Sequence, residues 1–572
     1  MTDAFQKVVQ AYRNGAYDHC LTLAAPLLRS PKPHPALLLM AAQASVKLER
    51  NAEAAHYYEK AADVHQAEAP TLLLMAARLL FNLHQKEAAL ALMRRSQAMR
   101  PFDVESLTTF RRLLREQAYL DEIEAGDAEL LALMQRGAPQ AFLVDDPHEH
   151  IMWCADEALN GLNRRMPTGT AFTAESRSAR RAMPHAWAER IRIGYLSNDV
   201  SDQHATMILF RGVLASHDPA RFDVTLFCYT DPDVAATDQG FRTSCPNLVS
   251  ITDLDDESAA EVIRARGIDI LVDLKGHTRD ARVDLVNRGL APVQAAYLGF
   301  PGSAYGIDCD YVIGDRIVLA DGMQPHYHEA FCRLPECYQS NDAFLRPLPE
   351  ATLRSQLGLP EEALILASFN GIRKLNAATL RSWATILRSV PNAVLWMMCG
   401  DAVAQRNILT FLDAHGVASH QVAFATRANY ASHIARLRAA DLALDSHPYN
   451  GHTTTSDALW AGLPVIARRG SNFASRVSES LLSALNVPEL LAEDEAGYEA
   501  LAIELATDTA KRLALRKKIE ANRFMAPLFD TERFTRHLER AYEMMVERQR
   551  AGLAPAAFDV PALPVRTEPF QP

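Results

Sequence analysis

The densest run of chemically useful side chains is LALDSHPYNGHTTTSDALWAGLPVIAR, residues 442–468. A β-rich run leads into a polar turn, and a helix is predicted to open at about Thr453. The first turn of a helix leaves N–H groups unpaired at the positive end of its dipole, a combination that suits a phosphate. Thr453 and Thr454 add hydroxyl donors, and Asp457 lies one turn further on, where its carboxylate can reach two neighbouring ribose hydroxyls. Threonine and aspartate also cap ordinary helices, so this segment by itself leaves nucleotide binding and plain capping both open. A second segment, FNGIRKLNAATL (369–380), puts Lys374 in a loop where a strand ends and a helix starts. Glycosyl transfer develops negative charge on a departing nucleoside diphosphate, and without a metal a lysine is the natural group to meet it.

Three further stretches offer polar groups beyond strand ends. YLGFPGSAYG (297–306) is a glycine-rich turn in which Gly299 and Gly302 permit close backbone approach and Pro301 fixes the chain direction. SNDVSDQHATMILF (197–210) and GHTRDAR (276–282) contribute Asp199, His204 and His277. A histidine there serves as base, polar binder or hydrogen-bonded filler. Asp253-Leu254-Asp255 spells the DxD used by metal-dependent glycosyltransferases, but it precedes a polar helix, ESAAEVIRARG, whose start favours acidic residues. It reads as a cap, and no metal is expected.

Two architectures are needed to hold these groups. ALLLMAA at 36–42 returns as TLLLMAA at 71–77, and Glu53 returns as Glu87. The ruler extends back to Asp18 and forward to Asp121. A period of about 34 with two amphipathic helices per unit marks a TPR-like (tetratricopeptide) solenoid with a concave groove. It is predicted over 1–145, although the Trp, Gly and Tyr landmarks of that repeat are mostly missing. Residues 146–187 read as one helix (148–166) and a Ser/Thr/Arg-rich linker (167–185). Short β-rich runs then alternate with helices, first at 191–197, 222–229, 268–274, 293–299 and 310–314, and again at 364–370, 393–398, 421–427, 442–446 and 464–468. Such alternation implies two doubly wound parallel-sheet domains, 188–345 and 346–548, with ligands at the carboxyl ends of their strands and in the cleft between them. Residues 549–572 read as a proline-rich tail.

Composition narrows the function classes. The net charge of −11 argues against a nucleic-acid partner, which requires clustered Lys and Arg. The eight cysteines form no CxxC pair and show no zinc spacing, as for free thiols in a reducing cytosol. No apolar stretch is long enough to cross a bilayer; Leu72–Leu83 is broken by Arg78. A cytoplasmic protein with no membrane partner is expected.

These motifs, in this order and behind a TPR-like segment, resemble the O-linked N-acetylglucosamine transferase family over about 188–548, most sharply in NGHTTTSDALWAGLPV and ASRVSESLL (474–482). The resemblance implies a GT-B fold, two Rossmann-like domains with an interdomain cleft, the second binding the nucleotide sugar. It implies inverting, metal-independent transfer of GlcNAc from UDP-GlcNAc to Ser or Thr hydroxyls of proteins, without a cofactor. By the same resemblance Lys374 binds the diphosphate and supports its departure. His452, Thr453 and Thr454 surround the pyrophosphate, Asp457 holds the ribose, and His433 packs beside the uridine near Arg427 and Ala428. His204 matches an active-site histidine whose role as general base competes with proton transfer to a donor phosphate oxygen. Tyr449 stands where animal members carry a smaller residue lining the N-acetyl pocket, and the long insertion between their catalytic halves is missing. Both features fit a bacterial-type member. The rival readings are the same fold acting as a protein O-fucosyl- or N-glucosyltransferase, and a TPR adaptor whose transferase half is degenerate.

Overall fold

The computed structural model describes residues 3–31, 33–162 and 169–570. It divides into two compact units, Met1–Val144 with Asp401–Ile408, and Asp145–Gly400 with Leu409–Pro572.

The first unit contains four helical hairpins: α1 (Asp3–Arg13), α2 (Tyr17–Leu28), α3 (Pro35–Lys47), α4 (Asn51–Val64), α5 (Ala69–Asn82), α6 (Lys86–Met99), α7 (Val104–Glu116) and α8 (Leu120–Gln135). Ala41, Ala42, Ala76 and Ala77 are fully buried, so small side chains let neighbouring helices approach closely. The repeat is most visible in its turns. Gly15, Glu49, His84 and Ala118, spaced by 34, 35 and 34 residues, all adopt positive φ (74°, 58°, 59° and 53°). After each of them an N–H reaches back to close the preceding helix: Ala16 to Ala11, Arg50 to Ser45, Gln85 to Leu80 and Tyr119 to Leu114. Only the first turn uses the glycine that this conformation favours. The other three accept a left-handed cost of about 1–2 kcal/mol each.

The second unit holds two all-parallel sheets. The first contains β1 (Ile191–Ser197), β2 (Phe222–Cys228), β3 (Leu248–Ser250), β4 (Ile270–Asp273), β5 (Val293–Ala296), β6 (Tyr311–Asp315) and β7 (Ala330–Leu334). The second contains β8 (Leu364–Ser368), β9 (Ala393–Met398), β10 (Val422–Ala425), β11 (Leu442–Leu444), β12 (Val465–Arg468) and β13 (Leu491–Ala492). A last strand, β14 (Phe558–Asp559), joins the edge of the first sheet beside β7. The orders are β14-β7-β6-β5-β4-β1-β2-β3 and β10-β9-β8-β11-β12-β13. Each order reverses beside its first strand, between β1 and β4 and between β8 and β11, and such a switch point opens a crevice at the strand ends. The segments after β1, β4, β8 and β11 carry most of the candidate residues, while Gly299, Pro301 and Gly302 follow β5, and Arg427, Ala428 and His433 follow β10.

Four expectations change. The segment 148–166 is two short helices, Pro147–Ile151 and Glu157–Asn160, with 163–166 outside the described residues. The expected linker, whose residues 167 and 168 also lie outside them, contains the helix Ala174–Ala182. Arg180 from this helix is 2% exposed and bonds Asp308 at 2.7 Å and Asp310 at 2.8 Å. The proline-rich tail is packed, not loose. Val560 N–H bonds the Arg333 carbonyl at 2.8 Å, Arg533 donates to the carbonyls of Leu563 and Pro564, and Phe570 is buried. Finally, the helix Thr531–Arg550, expected with the second domain, returns to the first sheet, where Tyr542 meets Tyr195 through their hydroxyls at 3.1 Å. Among the described residues no helix is long and apolar enough to cross a membrane.

Candidate active site

The two switch points face one cavity of about 800 Å³, a volume within the usual range for a small-molecule site. On the wall of the second sheet, the chain leaves β11 through Asp445, whose carboxylate organises the turn. Asp445 accepts from the N–H groups of Ser446 (2.9 Å) and Gly451 (2.6 Å), from Asn370 Nδ2 (3.2 Å) and from Ser478 Oγ (2.6 Å). Burial raises its pKa to about 6 despite these bonds. Gly451 is obligatory, because a Cβ there would collide with the hydroxyls of Thr454 and Thr455. The turn delivers His452 and the helix Thr453–Trp460, with Thr453 and Thr454 on the cavity wall. Thr454 Oγ1 donates to Asn370 Oδ1 at 2.8 Å, tying this helix start to the loop after β8.

That loop carries Lys374. Its Nζ donates to the Asn450 carbonyl at 2.8 Å and lies 4.4 Å from the centre of the Tyr449 ring. Tyr449 in turn stacks on His452, with ring centres 4.9 Å apart and planes at 14°. Burial pushes the Lys374 ammonium down to about 8, against the pull of Asp445. Burial, with Lys374 adding to it, drives His452 well below its usual value, so the imidazole is neutral. Its buried Nε2 has no protein partner among the described residues. A cation, a helix start and a neutral imidazole thus converge on the same cavity wall.

On the opposite wall, beyond β1 and β4, stand Asp199, His204 and Lys275. Lys275 Nζ donates to Asp199 Oδ1 at 2.7 Å, Thr206 Oγ1 donates to Oδ2 at 3.0 Å, and His204 Nε2 lies 3.5 Å from Oδ1. His204 is the N-cap of the helix Ala205–Ser216, its Nδ1 accepting the Thr206 N–H at 3.3 Å. Its surroundings lower its pKa, desolvation outweighing Asp199.

The sequence-derived candidates fall into three groups. Lys374, His452, Thr453, Thr454, His204 and Gly299 line the cavity together. Asp457 and His433 form a separate buried cluster. Asp457 Oδ1 accepts from Tyr430 Oη at 2.7 Å and from Arg346, while His433 Nε2 lies 3.8 Å from Oδ2. Arg427 and Ala428 are exposed in the loop after β10. The third group departs from expectation. Pro301 and Gly302 are buried and do not line the cavity, and His277 is buried edge-on to Phe300 with its pKa pushed down to about 4 by desolvation. Gly299 is required by the fold, since a Cβ would strike the Leu274 carbonyl. Asp255 of the DxD caps the helix Asp256–Ala265 by accepting the Ser258 N–H at 2.8 Å.

Sequence reasoning missed Lys275, although it lies two residues beyond β4 at a switch point, which was the available signal. It also missed His148, which borders the cavity from the short helix Pro147–Ile151, and Arg373, which borders it beside Lys374 and pairs with Glu149 of that helix. His148 lies edge-on to Tyr449 and Phe300, at 6.2 and 6.5 Å. Nothing local in HEHIM announces such a placement.

The model of glycosyl transferase family 41 matches residues 177–345 and 348–538. A probable UDP-N-acetylglucosamine–peptide N-acetylglucosaminyltransferase, SEC of Arabidopsis thaliana, is 34% identical over 384 residues, covering 65% of this chain and 39% of that protein. The UDP-N-acetylglucosamine–peptide N-acetylglucosaminyltransferase of Caenorhabditis elegans is 24% identical over 482 residues, covering 64% and 41%. The chain therefore spans about two fifths of the length of these relatives. A solved mutant of Thermobaculum terrenum O-GlcNAc transferase superposes with a TM-score of 0.70 at 23% identity, over 91% of this chain and 99% of that one. At that identity the likeness is one of fold.

Proposed function

Because the chain belongs to glycosyl transferase family 41, we propose that it is an inverting glycosyltransferase that moves GlcNAc from UDP-GlcNAc to Ser or Thr hydroxyls of proteins. The observation that carries this reading is the convergence of Lys374, His452 and the helix start at Thr453 on one cavity wall, facing Asp199 and His204 on the other. The first set receives the diphosphate. The ammonium and the first-turn N–H groups are fixed before reaction and aimed where charge develops, so little reorganisation is needed as the sugar departs. The second set faces the acceptor, on the side opposite the leaving group, as inversion demands. Asp457 and His433 are assigned to the ribose and uracil, and Arg427 and Ala428 to the same nucleoside. Protein acceptors are supported by the peptide substrates in the relatives' names. Recruitment along the concave face of the repeats, and a cytoplasmic location in keeping with eight free cysteines, complete the proposal.

No resident metal is proposed. Asp255 is engaged as a helix cap, and among the described residues no group of three or more His, Cys, Asp or Glu is gathered as metal ligands. The test is a donor panel of UDP-GlcNAc, UDP-glucose and GDP-fucose, each with a Ser/Thr peptide, read by mass spectrometry with and without EDTA. GlcNAc addition undiminished by the chelator is the expected result. Fucose or hexose addition in its place, or a requirement for added divalent metal, would overturn the reading.

The pH profile is a second check. Lys374 is cationic below about 8 and neutral above it, so kcat/KM for the donor is expected to fall on the alkaline side with an apparent pKa near that value. Lys374→Arg keeps the charge at all accessible pH and should remove this limb, whatever its effect on the maximum rate. A limb unchanged in the arginine variant would assign it to another group.

A further inference from the structure

Two histidine nitrogens decide which group on the acceptor wall can take a proton. His204 Nδ1 accepts the backbone N–H of Thr206, so its lone pair is committed to capping the helix Ala205–Ser216. In a neutral imidazole the other nitrogen then carries the hydrogen. That nitrogen, Nε2, points toward Asp199, 3.5 Å from Oδ1. A histidine in this tautomer has a donor to offer the cavity and no free acceptor.

Asp199 has the complementary endowment. Its carboxylate is approached by Lys275, Thr206 and His204, which leaves about one of its four or so lone-pair directions unfilled. It lines the cavity on the wall facing Lys374. Lys275 beyond β4 and Thr206 in the helix after β1 donate to it, and His204 stands 3.5 Å away, so it is held in place and can meet a hydroxyl without moving.

Resting on the transferase reading above, we propose that Asp199, and not His204, is the general base that accepts the proton of the acceptor hydroxyl. His204 and Lys275 are positioning residues for it. The balance is straightforward. The serine O–H bond breaks and its proton passes to Asp199. The serine oxygen bonds to C1 of the sugar. The bond from C1 to the β-phosphate oxygen breaks, and its electron pair leaves on the diphosphate beside Lys374. The proton passes from Asp199 to water once the glycopeptide departs.

The test uses two matched peptides, one with Ser and one with Cys at the acceptor position, on the full chain. A thiol, with a pKa of about 8.5, supplies its own thiolate and has little need of a base. Asp199→Asn keeps the volume and the hydrogen-bonding shape. It is expected to lose about 10²–10⁴-fold on the Ser peptide and far less on the Cys peptide, with UDP affinity retained as a control for the fold. His204→Asn, which can still cap the helix, is expected to reduce both peptides in proportion. In a separate arm, formate added to Asp199→Ala is expected to restore part of the Ser transfer by supplying the missing carboxylate. Selective loss on the Ser peptide in His204→Asn would return the base to the histidine. Proportional loss in both variants with no formate rescue would assign the proton to a donor phosphate oxygen. Wild-type protein that transfers GlcNAc to neither peptide would sink the transferase reading itself, which is a separate failure.

Discussion

Lys374→Ala is expected to lower kcat for GlcNAc transfer by about 10²–10³-fold, the usual consequence of deleting one preorganised group at a developing oxyanion. The argument rests on where the ammonium sits. It is held by a single protein hydrogen bond, to the Asn450 carbonyl, and rests against the Tyr449 ring. Neither contact is a buried ion pair, so the fold loses little when the side chain is truncated. The loss concentrates in the transition state, where the diphosphate gains charge that the resting donor does not yet carry. kcat and kcat/KM should therefore fall together, while UDP affinity changes less. Steady-state kinetics beside calorimetric UDP titration would check it. Turnover within about threefold of the parent would take the lysine out of the mechanism and, with it, the assignment of the whole wall.

What could be read from the sequence was the part encoded in short-range pattern. The repeat ruler located the helical hairpins, because each must bury one apolar stripe against its neighbour. The long strands, such as β1 and β8, were legible as β-rich runs bounded by turns. Of the missed strands, Ala330–Leu334 has five residues but is interrupted by Arg333, and the others are short or marginal. Leu248–Ser250 is only partly buried, and β13 and β14 have two residues each, too few to show any period. The site was legible wherever a strand ran directly into a helix start, as at Thr453 and Lys374. It was illegible where partners come from afar. Arg180 looked like linker because Asp308 and Asp310, which bury it, lie in another segment of the chain. His148 reaches Tyr449 by the same kind of long-range return. The proline-rich tail misled for a related reason: lack of helical period predicts lack of helix, not lack of packing. Pro301 and Gly302 are buried behind the cavity wall that Gly299 lines, a depth that a glycine-rich turn does not encode.

The second large effect is expected at Arg346, which no motif singled out. Its side chain is fully buried, donating to Tyr430 Oη at 2.8 Å, to Ser456 Oγ at 2.9 Å and to Asp457. Its guanidinium lies against the rings of Trp460 and Phe529, at 5.7 and 5.6 Å. Arg346→Met fills much of the same volume but leaves Asp457 buried with Tyr430 as its near partner. Breaking a buried pair from one side costs about 3–5 kcal/mol, and a lower melting temperature is the expected reading. The same substitution frees the carboxylate assigned to the ribose, so KM for the donor should rise more than kcat falls. The double variant Arg346→Met/Asp457→Asn separates these effects. Removing the stranded charge should recover most of the lost stability, because the penalty lies in the uncompensated carboxylate. It should not recover the donor KM, since the amide is a poorer acceptor for two ribose hydroxyls than a carboxylate. Stability and KM recovering together would show that Asp457 is a purely structural ion-pair partner and that the nucleoside sits elsewhere.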